Sequence, residues 1–209
     1  MDIDPGLRER KKRQTRQLIS DVASGLFLQR GFDNVTVAEV AQAADVSAKT
    51  VFNYFPRKED LFLDRGPEAT ELVTRAVRER AEGERPLAAL RGLIFRLLRE
   101  NHPLSGIRDG QHHFWQVILD SPALRARGRE ALEELETLIA TLLAEATGAR
   151  PGDIEPRLAA GLFLTAYRTV YAASARRLMA GERAADVLPD HLALLDHAFD
   201  AVNRACPDF

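Results

Sequence analysis

Apolar residues recur at intervals of three and four along nearly the whole chain, and this spacing predicts helices rather than strands. In the first such stretch, apolar residues recur at intervals of four in two adjacent rows, Leu18, Val22 and Leu26 beside Ile19, Ala23 and Phe27. Further helices are predicted over residues 86–101, 108–119, 122–147, 154–180 and 188–204. We therefore expect an all-α fold of about nine helices.

Two short helices joined by a tight turn are predicted to follow the first helix. Residues 36–39, Thr-Val-Ala-Glu, match a capping box at the start of the first short helix. Ser47 stands at the N-cap position of the second, which we place over residues 48–55. Val51 and Phe55 are one turn apart and are expected to face inward.

A fourth helix is predicted to open at residues 57–61, but the sequence Gly66-Pro67 interrupts its pattern. Proline lacks an amide donor and disfavours helical geometry in the residue before it. We therefore expect a kink or a break at this point, with the helix resuming to about residue 82.

Composition narrows the class of protein. The hydrophobic fraction of 45% and the charged fraction of 29% are typical of globular proteins. A formal net charge of −2 excludes a generic polyanion binder, so any affinity for nucleic acid must come from a local patch. Residues 7–16 supply one, with six basic residues and one acid.

The location expected from the sequence is cytoplasmic. No run of about 18 apolar residues indicates a membrane span. The polar, basic first 16 residues do not resemble a signal peptide. Cys206 is the only cysteine, which excludes disulfides within the chain.

A long amphipathic helix followed by two short helices and a basic flank is typical of a helix-turn-helix, whose second short helix enters the major groove of DNA. Lysine can reach guanine acceptors or phosphate, asparagine can pair with an adenine edge, and threonine offers a hydroxyl and a methyl group. The residues expected to be exposed on this helix are Ala48, Lys49, Thr50, Asn53 and Tyr54.

Residues 36–61 resemble the DNA-binding signature of TetR-family repressors. The resemblance is carried above all by Phe55, Lys58 and Leu61, which form a Phe-x-x-Lys-x-x-Leu motif directly after the helix-turn-helix. It extends over about residues 16–62, roughly a quarter of the chain. The family's helix count and length are similar as well.

The resemblance assigns roles to the matched positions. It implies contacts with phosphates or bases from Thr36, Thr50, Tyr54 and Lys58, and a sequence preference set by Lys49 and Asn53. The N-termini of the two short helices favour phosphate. The complete candidate DNA interface is Thr36, Ser47, Ala48, Lys49, Thr50, Phe52, Asn53, Tyr54 and Lys58.

Two positions depart from the family pattern. Asp45 occupies a turn position that commonly carries glycine. Aspartate tolerates left-handed geometry better than most residues, so we expect the turn to be kept. Phe52 replaces a frequent tyrosine and lacks its hydroxyl, so we expect it to serve mostly in packing.

The predicted organisation is a flexible basic arm over residues 1–14, a helix-turn-helix domain over residues 15–60, and a helical ligand-binding and dimerisation domain over residues 61–209. A dimer is implied because one head covers only a few base pairs. The last two helices could form a four-helix bundle with a second copy, or their apolar faces could pack inside one subunit. These faces carry Leu158, Leu162, Ala166, Val170, Ala173, Leu178, Leu192, Leu195, Phe199 and Val202.

A mostly apolar pocket for a small apolar or amphipathic ligand is predicted in the third segment. Core packing is the competing interpretation for every residue assigned to it. His102, His112 and His113 lack a carboxylate or cysteine at ligand spacing, so neither a metal nor another cofactor is expected. The candidate lining residues are Phe95, Leu98, His102, His112, Trp115, Leu119, Phe163, Tyr167 and Arg168.

The predicted function is a transcriptional regulator that binds a pseudo-palindromic operator on double-stranded DNA as a dimer. Ligand binding would shift the fourth helix, expected to be continuous with the recognition helix, and move the heads off the spacing of successive major grooves, about 34 Å. Repression is what the resemblance implies by default, and activation stays open.

Two other classes compete with this interpretation. An enzyme is disfavoured because the sequence has no nucleophile elbow, phosphate-binding glycine loop, metal cluster or paired carboxylates on one helical face. A helical protein-interaction adaptor would show no salt-dependent affinity for DNA.

Overall fold

The computed structural model describes residues 5–150 and 152–209, and within these ranges every regular element is helical. The prediction of an all-α fold is therefore confirmed. Two short 3-10 turns, Glu59–Leu61 and Pro103–Ser105, accompany the α-helices. The nine α-helices of this part of the chain are α1 (Pro5–Arg30), α2 (Val37–Ala43), α3 (Ala48–Tyr54), α4 (Gly66–Arg78), α5 (Pro86–Arg99), α6 (Gln111–Asp120), α7 (Pro122–Thr147), α8 (Glu155–Met179) and α9 (Ala184–Ala205).

The chain divides into two compact units. The head unit comprises Met1–Asp64 and Gln116–Gly128, and the body unit comprises Arg65–Trp115 and Arg129–Phe209. The sequence places the boundary between the helix-turn-helix domain and the third segment between residues 60 and 61. The structure differs in assigning the end of α6 and the start of α7, residues 116–128, to the head unit; we call this segment the elbow.

The first helix begins earlier than the sequence predicts. Residues 5–14, predicted as part of a flexible arm, form the opening turns of α1, while residues 1–4 of that arm lie outside the described residues. Arginine, lysine, glutamate and glutamine fill this stretch, and all four are good helix formers. The helix ends at Arg30, where Gly31 takes a φ of +80°.

Of the kink and the break expected near Gly66-Pro67, the structure shows a break, and the helix predicted to open at residues 57–61 begins later. The chain passes through the 3-10 turn at Glu59–Leu61, and α4 begins only at Gly66. Pro67 lies in the first turn of α4, where a missing amide donor carries no penalty because that group has no partner within the helix. The Gly66-Pro67 sequence therefore marks a helix start, and α4 is not continuous with α3.

The head unit is built on an apolar core supplemented by pairs of polar groups. Phe27 at the end of α1 is fully buried and packs on Phe32 at a centroid distance of 4.9 Å. The elbow packs into this core through Leu124, which is also fully buried. On either side of Leu124, Ser121 donates to Asp33 at 2.9 Å and Arg127 to Asp60 at 2.9 Å. These contacts explain why the elbow belongs to the head.

The body unit is centred on the packing of α8 against α9. The Phe163 and Phe199 rings stack at a centroid distance of 4.7 Å near one end of this antiparallel pair. For Leu195, Phe199 and Val202 the sequence leaves a partner subunit and the same protomer open, and the structure buries all three within the protomer. The face of α9 that these residues form packs against α8 and the rest of the body core.

Among the residues that the structure describes, no helix is long and apolar enough to cross a membrane.

Candidate nucleic-acid interface and interior polar cluster

The N-terminus of α2 is held by a complete capping box, as predicted. The Thr36 amide donates to the Glu39 carboxylate at 2.7 Å, and the Glu39 amide donates to the Thr36 hydroxyl oxygen at 3.2 Å. Arg30 adds an ion pair to Glu39 at 2.7 Å. The hydrogen bond from the Thr36 backbone amide, followed by the one from the Arg30 side chain, lowers the pKa of Glu39 to about 2. The start of α2 is thus fixed by local contacts.

The turn between α2 and α3 contains the aspartate that departs from the family pattern. Asp45 has a φ of +53°, in the left-handed region, as expected from its replacement of glycine. The next amide, that of Val46, donates back to the Ala41 carbonyl at 2.9 Å. The turn is therefore kept with aspartate in the glycine position.

Helix α3 presents one apolar and one polar face. Ser47 caps it by accepting from the Thr50 amide at 3.0 Å, which confirms the predicted cap. Val51 and the residue that follows the helix, Phe55, are buried as predicted. The opposite face is exposed or half-buried and carries Ala48, Lys49, Thr50, Phe52, Asn53 and Tyr54. A rigid two-turn helix with this exposed set is suited to reading a groove.

Phe52 corrects one expectation. The sequence assigns it to packing, but its side chain is 49% exposed on the same face as Lys49 and Asn53. The reason is geometric: the buried positions of α3 are taken by Val51, and the next residue along a helix points about 100° away. Phe52 thus adds an apolar group to the exposed face.

Lys58 is turned toward the head core. Its ammonium group donates to the Phe32 carbonyl at 2.7 Å and lies 4.1 Å from the centre of the Phe32 ring. Burial lowers the pKa of this amine below its ordinary value. An ammonium group has three N–H donors, so this hydrogen bond leaves donors available for a phosphate.

The basic stretch of α1 differs in its two parts. Arg16 folds back, donating to the Asp64 carbonyl at 2.7 Å and lying 4.6 Å from the centre of the Phe55 ring. The earlier side chains are exposed along the first turns of the helix: Arg8, Arg10, Lys11, Lys12 and Arg13. A basic helical segment therefore precedes the helix-turn-helix in the sequence of the head.

The body unit contains a cluster of polar aromatic residues around Tyr171 of α8. The Trp115 ring of α6 lies 5.3 Å from the Tyr171 ring, and Tyr167, one turn earlier on α8, lies 5.7 Å from it. His191 of α9 meets the same ring at 6.3 Å. A side chain at Gly106 would overlap the Tyr171 hydroxyl, since its Cβ atom would fall 1.6 Å from that oxygen. We call these residues, with Ser105, the interior polar cluster.

The interior polar cluster carries no charge at neutral pH. Burial raises the pKa of Tyr167 to about 12 and that of Tyr171 well above its ordinary value. Burial also lowers the pKa of His191 to about 4. The Nδ1 atom of His191 shares a hydrogen bond of 2.9 Å with the hydroxyl of Ser174. The cluster is therefore polar but uncharged.

The predicted ligand residues differ in how deeply the structure buries them. Leu98 and Phe163 are buried in the body core, and Phe95, Trp115 and Tyr167 are partly buried. His102 pairs with Glu68 at 3.4 Å. The remaining three are exposed, and one of them lies in the elbow of the head unit: His112, Leu119 and Arg168.

Sequence reasoning missed Ser105, Tyr171, Ser174 and His191. One signal was available, because Tyr171 follows Tyr167 by four residues and so shares its helical face. For Ser105 and His191 no local signal exists, since only the tertiary packing brings the α5–α6 loop and α9 to the same side chain.

A helix-turn-helix with an exposed reading face, on a separate helical body, defines the class of one-component DNA-binding regulators. Comparison with known proteins identifies the family. Residues 19–72 match the family described as "Bacterial regulatory proteins, tetR family". Residues 71–207, more than half of the chain, match the family described as "MftR C-terminal domain".

One curated relative is the HTH-type transcriptional regulator TcmR of Streptomyces glaucescens, which is 32% identical over 171 residues, 79% of this chain and 75% of TcmR. The chain belongs to the TetR family of transcriptional regulators, whose members are not enzymes.

Solved structures of the family share the fold. Thermus thermophilus FadR, a TetR-family repressor in complex with lauroyl-CoA, is 30% identical, with a TM-score of 0.51 over 86% of this chain and 92% of FadR. The triclosan complex of SmeT, a repressor from Stenotrophomonas maltophilia, is 16% identical, with a TM-score of 0.59 over 90% of this chain and 91% of SmeT.

Proposed function

We propose that this regulator is a cytoplasmic repressor that binds a pseudo-palindromic operator as a homodimer and leaves it when a small molecule binds the body unit. The proposed DNA binding is supported above all by the two sides of α3, since Val51 is buried while Lys49 and Asn53 are exposed. A short helix with a buried apolar anchor and an exposed polar face can enter the major groove without disturbing the head core.

Different exposed residues of α3 are proposed to contact the bases and the phosphates of the operator. Asn53 would pair with an adenine edge, Lys49 would reach guanine or phosphate, and Phe52 would meet a thymine methyl group. Backbone phosphates would be met by Ala48 at the start of α3 and by the polar groups of Thr36, Ser47, Thr50, Tyr54 and Lys58.

Dimerisation is proposed through α8 and α9. Leu158 and Leu162, one turn apart on α8, are 56% and 36% exposed, and Leu194 on α9 is 49% exposed. Because α8 and α9 pack antiparallel in each protomer, a second copy would complete a four-helix bundle over these leucines.

The dimer is tested by light scattering after size-exclusion chromatography. Leu158→Glu combined with Leu162→Glu is expected to shift the mass from dimer to monomer. Leu28→Glu is the matched control, since Leu28 is 48% exposed on α1 of the head. Monomeric wild-type protein, or dissociation by the control alone, would contradict the proposed interface.

Release is proposed to run through α6. Trp115 lies in the body part of α6, and the elbow begins at the next residue of that helix. Beyond the end of α6, Ser121 and Arg127 of the elbow donate hydrogen bonds to Asp33 and Asp60 of the head. A ligand that displaces Trp115 would move this helix and strain the elbow contacts. The route through a continuous fourth helix is not available, because α4 begins at Gly66.

Lauroyl-CoA is a first probe for ligand-driven release, because it is the molecule bound by the 30% identical FadR. A coupling free energy of about 1–3 kcal/mol between ligand and operator would produce roughly 5- to 150-fold release. Gel-shift titration of the operator complex with lauroyl-CoA tests this release directly.

The proposed function as a whole is tested by selecting random DNA fragments with the purified protein and sequencing them. We expect an enriched site with two-fold symmetry and half-sites about one helical turn apart. The logarithm of the affinity for that site should fall linearly with the logarithm of salt concentration. No enrichment, or binding insensitive to salt, would instead favour a protein-interaction adaptor.

A further inference from the structure

Three buried polar atoms of the body unit make no hydrogen bond to any described residue: the Ser105 hydroxyl, the Trp115 indole nitrogen and Nε2 of His191. Ser105 and His191 are only 5% and 1% exposed. Buried polar groups in folded proteins are nearly always paired, and an unpaired one destabilises the fold. Three such atoms in one part of the interior therefore require an explanation.

The three atoms belong to residues gathered around one side chain. The Trp115 and His191 rings both contact Tyr171, and Ser105 is adjacent to Gly106, whose backbone closely approaches the Tyr171 hydroxyl. The indole N–H of Trp115 lies near enough to the Tyr171 oxygen to affect its pKa, but without the geometry of a hydrogen bond. The unpaired groups are thus parts of the interior polar cluster.

The chemistry of these groups restricts what could pair with them. An indole N–H can only donate, so its partner must be an acceptor. A serine hydroxyl can donate or accept, and His191 Nε2 does either, depending on which way the hydrogen bond to Ser174 runs. A hydroxyl oxygen can meet all three requirements, and a carbonyl oxygen meets them when Nε2 of His191 carries the proton.

The surroundings of the three groups are aromatic and uncharged. The rings of Tyr167 and Tyr171 stack at an interplanar angle of 21°, and the Trp115 ring meets Tyr171 edge-on. Rings at these centroid distances pack directly on one another, so a ligand enters by displacing one of them, and a planar aromatic molecule best replaces the lost ring contacts. A charged ligand would lack a counter-ion, since no residue of the cluster is ionised at neutral pH.

We propose that the ligand of the body unit is an uncharged, planar aromatic molecule with a ketone or hydroxyl oxygen. Its oxygen accepts hydrogen bonds from Trp115 and Ser105, and its ring separates Trp115 from Tyr171. This inference rests on the proposed release function, because it assigns the class of ligand that would displace α6. An acyl-CoA fits less well, since its phosphates would meet no cation in this cluster.

The experiment uses two probes that differ by one oxygen, 9-fluorenone and fluorene, in equilibrium dialysis against the full-length protein. We expect fluorenone to bind at least tenfold more tightly than fluorene. The Trp115→Phe and Ser105→Ala variants should each lose most of that preference, because each removes a hydrogen-bond donor, and Phe at position 115 keeps an aromatic ring. Equal binding of the two probes, or binding of neither, would overturn the proposal.

A stability measurement separates a ligand-binding role from a structural one. Without ligand, Ser105→Ala should keep or raise the melting temperature, because it removes an unpaired hydroxyl. The matched control is Ser20→Ala in the head, a buried serine whose hydroxyl donates to Asp64 at 2.5 Å. This control should lower the melting temperature and leave fluorenone binding unchanged. A marked loss of stability in Ser105→Ala would show that its hydroxyl has an internal partner.

Gel shifts on the same preparations distinguish this inference from the proposed function. If fluorenone binds with the expected variant pattern but leaves operator affinity unchanged, the release function fails and the ligand class stands. If lauroyl-CoA releases the operator and fluorenone does not bind, the ligand class fails and the release function stands.

Discussion

The head and body units differ in how completely their buried polar groups are paired. In the head, Ser20, Ser121 and Arg127 each reach a carboxylate within the same unit. In the body, the hydroxyl of Ser105 and the free nitrogen of His191 have no partner among the described residues. Full pairing favours one rigid arrangement, which a groove-reading surface requires. Unpaired groups leave the body able to gain stability from a bound molecule, as the proposed response to a ligand would require.

The largest effect is expected from two phenylalanines at the end of the second short helix, one that stabilises the head and one that would contact DNA. Phe55→Ala should destabilise the head by about 3–5 kcal/mol, because Phe55 is 1% exposed and its removal leaves a cavity. Phe52→Ala, its half-exposed neighbour, should change stability by roughly 0.5 kcal/mol or less and weaken operator binding. Urea denaturation and gel shifts measure the two effects. Comparable losses of stability in both variants would mean that Phe52 also belongs to the core.

The next effect belongs to the body and depends on pH. Because burial lowers the pKa of His191 to about 4 from an ordinary value of 6.5, the unfolded chain binds the proton more readily than the folded one. Stability should therefore fall as pH drops from about 6.5 to about 4, by up to about 3 kcal/mol.

Replacement identifies the group responsible for this pH dependence. His191→Gln should flatten the stability profile between pH 6.5 and pH 4 in denaturation experiments. His197→Gln, an exposed position on the same helix, is the control and should leave the slope unchanged. An unaltered slope in His191→Gln would assign the pH dependence to other groups.

A smaller effect concerns the reading face of the head. Asn53→Ala should cost about 1–3 kcal/mol of operator affinity and relax the preference at one base pair. Lys49→Ala should weaken binding and, if it contacts phosphate, reduce the salt dependence. Gln29→Ala, exposed on α1, is the control. Unchanged affinity in Asn53→Ala would remove this residue from the interface.

The smallest effect is expected where a residue other than glycine has a left-handed backbone conformation, which occurs in both units. Asp45 in the head and Asn101 in the body have φ values of +53° and +50°. Replacing either with glycine should stabilise the protein by about 0.5–1 kcal/mol, because glycine adopts this geometry without steric cost. Thermal denaturation measures both. A loss of stability in Asp45→Gly would indicate that the aspartate side chain itself holds the turn.

Sequence reasoning succeeded where the structure is determined by near neighbours. The capping box at Thr36, the N-cap at Ser47 and the left-handed Asp45 all depend on contacts within a few residues. At Gly66-Pro67 it left a kink and a break open and began the helix too early, because a proline that interrupts a helix and one that begins a helix look alike in sequence.

The interior of the body was less predictable for a physical reason. Ser105, Trp115, Tyr171 and His191 lie on a loop and three different helices, and their approach depends on how those helices pack. The elbow was missed in the same way, since Ser121 meets Asp33 across 88 residues of sequence. Periodicity predicts which face of a helix is buried, but it does not predict the neighbour that covers it.

The position of the indole has a practical consequence. Trp115 is the only tryptophan of the chain, and it lies beside Tyr171 on the helix that continues into the elbow. Light at 295 nm, which excites tryptophan selectively, therefore probes this single location and nothing in the head. Its emission spectrum could follow ligand entry in real time with an unlabelled, unmodified protein.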